Sequence, residues 1–285
     1  LLGLFVFSSC NLDLAPEDTL SPKTYFKNGP QLELWTNHFY SLFPDVDDLA
    51  KQNADDNISS ELGETLMGQR SAASENGWTW ERLRDINYYL QHSNQCPDEH
   101  VRKQYDGVAY FFRAYFYFDK VKRYGDVPWY DQVLNSNDDK LLAKPRQDRE
   151  IIMDSVMQDL DKAIGMLPTK KDQVRVTKWT ALALKSRVAL YEGTFRKYRG
   201  MNDAEKYLKQ AVAAGEQFID NSGYRLYTNG AEPYRTLFNS IDAVGDEIIL
   251  AKRHSNTANV RHSIPFNIII YRQSFTKRFM NHYLM

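Results

Sequence analysis

The run DEHVRKQYDGVAYFFRAYFYFDKVKRYGDVPW, residues 98–129, decides the fold. Val101, Tyr105, Val108, Phe112 and Phe116 recur at helical spacing, and Tyr110, Ala114, Phe118 and Val121 widen that stripe over most of the helix surface. A helix that is apolar nearly all round must be packed on several sides, so Asp98–Arg123 is expected at the centre of a helical protein. Gly125 and Pro128 end it, because the first opens the chain to a turn and the second cannot continue a helix. Arg113 lies within the apolar surface and needs a partner, since a buried, unpaired guanidinium is costly. Asp126 and Pro128 read as a rigid structural turn.

Downstream, three amphipathic helices are expected. In the first, Asp148 is the candidate cap, followed by Ile152, Val156, Leu160, Ala163 and Leu167 up to Pro168. Thr177 caps the second, whose face is Ala181, Leu184, Val188, Tyr191 and Phe195. Asn202 with Glu205 has a capping-box spacing for the third, whose face is Ala204, Leu208, Ala211, Gly215 and Phe218. The small residues permit close helix approach, and the last two helices are spaced like the arms of a tetratricopeptide hairpin. Upstream, helices are expected over Gln31–Phe43, stopped by Pro44, and over Trp80–Gln95, stopped by Pro97. Residues 45–79 form a long polar stretch without clear period, which usually signals a functional or poorly ordered loop. Past Ser222 the pattern becomes irregular, with a short strand at Glu247–Ala251 and a further apolar run, Ile264–Tyr271, containing Pro265. The predicted class is therefore mostly all-α: stacked tetratricopeptide-like helical hairpins with long loops and a few short strands.

Composition removes several function classes. The 285 residues carry 36 Lys and Arg against 37 Asp and Glu, so no basic field exists for nucleic acid or an anionic bilayer. The motifs of serine hydrolases, zinc proteases, thiol oxidoreductases, dinucleotide-binding folds and phosphate-binding loops are missing, and the six His are scattered. No cofactor and no metal is implied. The carboxylates between Asp45 and Asp56 lack the spacing and glycine of a calcium loop and read as solvated. Of the two cysteines, Cys96 reads as an inert thiol at a helix end. Cys10 follows an apolar run, Leu1–Phe7, and two small residues, Ser8 and Ser9, which looks like the tail of a bacterial lipoprotein signal. The run is far shorter than the about 20 residues that span a bilayer. Residues 11–30 then read as an extended tether. The remaining oddity is aromatic content: 18 Tyr, 15 Phe and 5 Trp serve cores and also stack on sugar rings.

Four stretches resemble the SusD/RagB family of outer-membrane nutrient-binding lipoproteins. They are Leu12-Asp13-Leu14-Ala15-Pro16 with Leu20-Ser21-Pro22 and Tyr25-Phe26; Gly77-Trp78-Thr79-Trp80 with Leu83-Arg84 and Ile86-Asn87; Phe112–Tyr117 running on to Tyr124–Trp129; and Pro145-Arg146 through Asp159-Leu160, Leu167-Pro168 and Arg175-Val176-Thr177 to Leu190-Tyr191. The resemblance covers residues 10–220 and implies a helical domain followed by an irregular lobe that carries much of the ligand site. The organisation expected is a signal remnant over 1–10 ending at the lipidated Cys10, the tether, a helical-repeat domain over 31–222, and over 223–285 the start of a lobe whose remainder is missing.

By resemblance the protein is not an enzyme. It captures oligosaccharide and delivers it to a SusC-like TonB-dependent transporter at the cell surface, held by its lipid anchor. Trp78, with Arg70 and Asn76 near it in sequence, is the best local arrangement for a sugar; a loop staple is the competing role for Trp78 and the favoured one for Trp80. Tyr271 and Arg272 lie where family members often place ligand contacts. From a different class, a helical scaffold binding a protein or peptide remains the alternative, with a glycosidase behind it, because paired carboxylates meet only in space.

Overall fold

The computed structural model describes residues 25–46, 57–58, 66–69, 71, 77–135, 137–255, 257, 260–270, 272 and 274–284. Cys10, most of the tether, Arg70, Asn76, Tyr271 and the carboxylates Asp47, Asp48, Asp55 and Asp56 lie outside the described residues.

The fold is mostly helical and is built around the aromatic helix. Helix α1 (Gly29–Asn37) begins where the Asn28 side chain accepts the Gln31 amide at 3.1 Å, and it tightens into a 3-10 turn, His38–Leu42. Helix α2 (Glu81–His92) ends in a second such turn, Ser93–Gln95, with Cys96 buried before Pro97. Helix α3 (Glu99–Tyr124) is capped by the Asp98 side chain on the Val101 amide, and Gly125, at φ 70°, ends it. Phe111, Phe112, Arg113, Ala114, Phe116, Tyr117 and Phe118 are all buried, so α3 has core on every side where they point. Helices α1 and α2 pack on one flank, and α5 (Arg149–Met166) packs on another. Close approach of α3 to the end of α5 occurs at Gly107, where a Cβ would sit 3.0 Å from Leu167.

Arg113 finds the partner it needs. Its guanidinium donates twice to Asp159 of α5, at 2.6 and 2.8 Å, and once to the Asn87 carbonyl oxygen of α2 at 3.3 Å. One buried fork therefore joins three helices.

The sequence places the start of α5 correctly, but Asp148 makes no capping bond; the Asp126 carboxylate accepts the Arg149 amide instead, at 2.9 Å. The turn after α3 folds back so that its acid covers the next helix's first free donor, and a Val127–Gln147 bridge holds the two segments together. The short helix α4 (Asp139–Leu142) sits in the connection. The expected face of α5 is buried throughout: Ile152, Val156, Leu160, Ala163 and Leu167.

Thr177 caps α6 (Lys178–Tyr198) in a reciprocal box with Thr180. Helix α7 (Ala204–Asn221) packs against α6 as a hairpin, and α6 also packs on α5. The hairpin is close because Gly193 faces Leu208; a Cβ there would lie 2.8 Å from that side chain. The Asn202–Glu205 box does not form. Asp203, at φ 61°, takes the cap position without a side-chain bond, and Glu205 pairs with Lys209 at 2.8 Å. Beneath this end, buried Glu192 accepts from Arg149 at 2.6 Å and from Arg196 at 2.8 Å, and the Tyr207 hydroxyl donates to Asp154 at 2.7 Å.

Beyond Ser222 the chain is irregular, with short helices α8 (Pro233–Asn239), α9 (Ile264–Ile270) and α10 (Lys277–Tyr283). The strand expected at Glu247–Ala251 is absent. Glu247 closes a turn, the residues after it are irregular, and the Ala251 amide bonds the Gln173 carbonyl at 2.7 Å in place of a strand ladder. The apolar run after Ser263 is helix α9, since Pro265 falls in its first turn, where a missing N–H costs nothing. Strands β1 (Asn57–Ile58) and β2 (Ser274–Phe275) pair antiparallel. No helix among the described residues is long and apolar enough to cross a membrane.

Candidate functional site

The segment Gly77–Trp80 is held from below by α3. The buried Lys120 ammonium donates to the Gly77 carbonyl and lies 4.9 Å from the Phe116 ring centre, 5.8 Å from Trp80 and 6.0 Å from Tyr124. An ammonium taken out of water needs both a carbonyl and ring faces, so this lysine pins the loop. Trp80 meets Phe116, Tyr117 and Tyr130 edge-on at 5.6–6.3 Å, which is the staple expected of it.

Trp78 is 38% exposed. Trp80 and Tyr124 hold it edge-on, with centres 5.1 and 4.8 Å away, and the exposed Arg146 guanidinium stands over its ring at 4.8 Å. Three neighbours order the Trp78 ring, as a loop staple requires, while a substantial part of it remains open to solvent.

The residues flanking Trp78, Gly77 and Thr79, line a groove of about 630 Å³ together with Leu42, Pro44, Tyr115 and the charged end of α3. Asp119 there pairs with Arg123 at 2.9 Å and with Lys122 at 3.5 Å, while Arg82 at the opposite rim pairs with Asp85 at 3.2 Å. Burial, and then the Asp119 carboxylate, hold the Tyr115 phenol above its ordinary pKa, so it is a neutral hydroxyl. A smaller hollow of about 280 Å³ opens beside Trp80, against Leu83, Tyr130, Leu134 and Leu142. The groove offers a ring, hydroxyls and cations. Among the described residues no group of three or more His, Cys, Asp or Glu converges to hold a metal, and Asp45 pairs with Lys252 at 2.6 Å.

Of the residues singled out in the sequence, Trp78 lies between Gly77 and Thr79, which line the groove, and is not itself among the lining residues. Arg272 is exposed, in a left-handed conformation at φ 48°, just ahead of β2, and no ring or ion contact joins it to Trp78. Arg70, Asn76 and Tyr271 lie outside the described residues. Lys120, Tyr115, Asp119, Lys122 and Arg123 were missed. Tyr115, Asp119 and Lys122 are spaced to share one face of α3, so that polar strip on an otherwise apolar helix was a legible signal. Arg146 carried none, because only the turn after α3 brings it over Trp78.

Residues 35–190 match the SusD-like family model, described as starch-binding and associating with the outer membrane. The chain is 25% identical to SusD-like protein P38 of Formosa agariphila, over 72% of this chain and 43% of that protein. It therefore spans less than half the length of that curated relative. A SusD-like protein of Bacteroides fragilis has a similar structure, with a TM-score of 0.67 at 25% identity, covering 86% of this chain and 48% of that one. A laminarin-binding SusD-like protein aligns with a TM-score of 0.62 at 20% identity, covering 81% and 52%.

Proposed function

The chain belongs to the SusD-like family, and from that premise we propose that it is a surface lipoprotein that captures oligosaccharide and delivers it to a TonB-dependent outer-membrane transporter. The observation that carries the proposal is Trp78: an indole ordered by Trp80, Tyr124 and Arg146, still 38% exposed, between two residues that line a groove, Gly77 and Thr79, inside the matched residues 35–190. Sugar recognition needs an apolar face beside polar groups on a surface ordered before the ligand arrives, because ordering costs are then not charged against affinity. The laminarin-binding structural neighbour supports glycan as the cargo class. The Cys10 thiol, after Ser8 and Ser9, is the proposed site of acylation, and the tether carries the helical body away from the membrane.

The deciding experiment is affinity electrophoresis, followed by calorimetry, of the chain without its first ten residues against a polysaccharide panel that includes laminarin. Saturable binding to at least one glycan, with no release of reducing ends, is the expected result. Peptide binding with no glycan binding would move the protein to the helical-scaffold class, and release of reducing ends would make it a glycosidase.

A further inference from the structure

We propose that Lys120 is a positioning residue for Trp78, one that sets glycan affinity by ordering the loop before the sugar arrives. The proposal rests on the glycan-binding reading above and adds the element that controls the same site.

The first support is a register. Phe116, Lys120 and Tyr124 are spaced one helical turn apart and so share one face of α3. Each takes a different part of residues 77–80. Phe116 meets the Trp80 ring at 5.6 Å, the Lys120 ammonium donates to the Gly77 carbonyl, and Tyr124 meets the Trp78 ring at 4.8 Å and 90°. A main-chain hold at the centre is thus flanked by a ring hold one turn away on either side. The Gly77 carbonyl lies in the peptide plane that also carries the Trp78 N–H, and that plane is rigid. Fixing its oxygen therefore fixes where the Trp78 backbone starts.

The second support is the choice of side chain. Lys120 is only 5% exposed, on a helix whose Phe116, Tyr117, Phe118 and Val121 are buried around it. Burying an ammonium is costly, and an apolar side chain would fill the same space without that cost. What the ammonium adds is a directed bond, which suits one arrangement of the loop and not its neighbours. The charge is held between the Phe116 and Tyr124 rings, whose centres lie 4.9 and 6.0 Å away. Trp78 itself is 38% exposed, so its order depends on holds at its edge and at its backbone. A ring that is already ordered binds a sugar without the cost of being immobilised. Lys120 also lines the groove, so a direct bond to the sugar is the rival role that the experiment separates.

The test is Lys120→Met, which keeps an unbranched stem and removes the donor, in the full chain labelled with fluorotryptophan. The chain has five Trp, and Trp78→Phe identifies the Trp78 fluorine line. In Lys120→Met that line should broaden or split, while the Trp35, Trp129 and Trp179 lines keep their positions and report a retained fold. Affinity for laminarin, or for the panel polysaccharide that binds in its place, should fall roughly three- to tenfold by calorimetry, the cost of immobilising one side chain on binding. Lys120→Gln, with a donor on a shorter stem, should give a smaller loss. An affinity loss with a single sharp Trp78 line would put Lys120 on the sugar itself and overturn the positioning role. A broadened Trp78 line with unchanged affinity, or no change in either, would overturn it as well. Loss of all the native lines in both variants would make Lys120 a core residue and overturn the inference too. If the unaltered chain binds no glycan of the panel, the glycan-binding reading fails, and the fluorine spectrum still decides whether Lys120 orders Trp78.

Discussion

Arg113 and Trp78 are the two side chains whose roles turn on their immediate neighbours. Burial alone pulls the Arg113 pKa down, but its paired bonds to Asp159 more than offset this and hold the guanidinium charged, above its ordinary value. Removing one half of a buried pair leaves the other half uncompensated, so Asp159→Ala should cost about 3–5 kcal/mol in denaturant melts. A loss below about 1 kcal/mol would mean that water reaches Arg113 once the acid is gone. Trp78 presents the opposite balance. Its contacts are aromatic edges, worth about 0.5–1.5 kcal/mol each beyond burial, and part of the ring is in solvent. Trp78→Ala should lower stability by about 1–2 kcal/mol while weakening glycan affinity at least tenfold, read by melting and titration on one preparation. Normal affinity with a clearly lowered melting temperature would assign the ring to the loop and remove it from the ligand site.

Helix α3 organises the other elements because its buried surface wraps most of its circumference, and Phe112 is at the middle of it. That ring is fully buried and meets Phe39, Tyr40, Phe43 and Phe111. Phe112→Ala should therefore cost about 3–5 kcal/mol by chemical denaturation, through lost burial and an unfilled cavity. A much smaller change would place α3 at the periphery. Helix starts depend on less distributed contacts. The bond from the Arg149 amide to Asp126 makes a specific comparison possible: Asp126→Ala should lose about 1 kcal/mol, and Asp148→Ala, whose side chain caps nothing, should lose less. The reverse order would restore Asp148 as the functional cap. The difference arises because a cap is chosen by where a neighbouring turn lands, and local sequence spacing does not encode that position.

For the whole molecule, the proposed anchor at Cys10 and the proposed capture site at Trp78 are far apart in the sequence. The core cluster among the described residues runs from Tyr25 to Ala211, so loss of the proposed anchor should change location and leave structure alone. Cys10→Ala in cells should move the protein from the membrane fraction to the soluble one with an unchanged circular dichroism spectrum. Retention in the membrane fraction would overturn the lipoprotein proposal.

Periodicity alone determined the helical class, the central place of Asp98–Arg123, the apolar face from Ile152 to Leu167 and the Thr177 cap. Each of these follows from the chemistry of residues within a turn or two of each other, where side-chain spacing and backbone geometry are tightly linked. The need of Arg113 for a partner was equally legible, because desolvation of a charge is a property of the residue itself. Its partner was not, and neither were the Asp126 cap, the Gly193–Leu208 approach, the clamp of Lys120 on Gly77 or the placing of Arg146 over Trp78. These pairings join residues far apart in the chain, and many distant groups could satisfy the same local requirement. Only the packing of α3 against its neighbours selects which one arrives. The misassigned strand at Glu247–Ala251 failed for the same reason: an apolar run becomes a strand only where another strand lies beside it, and here the Gln173 carbonyl takes the Ala251 amide.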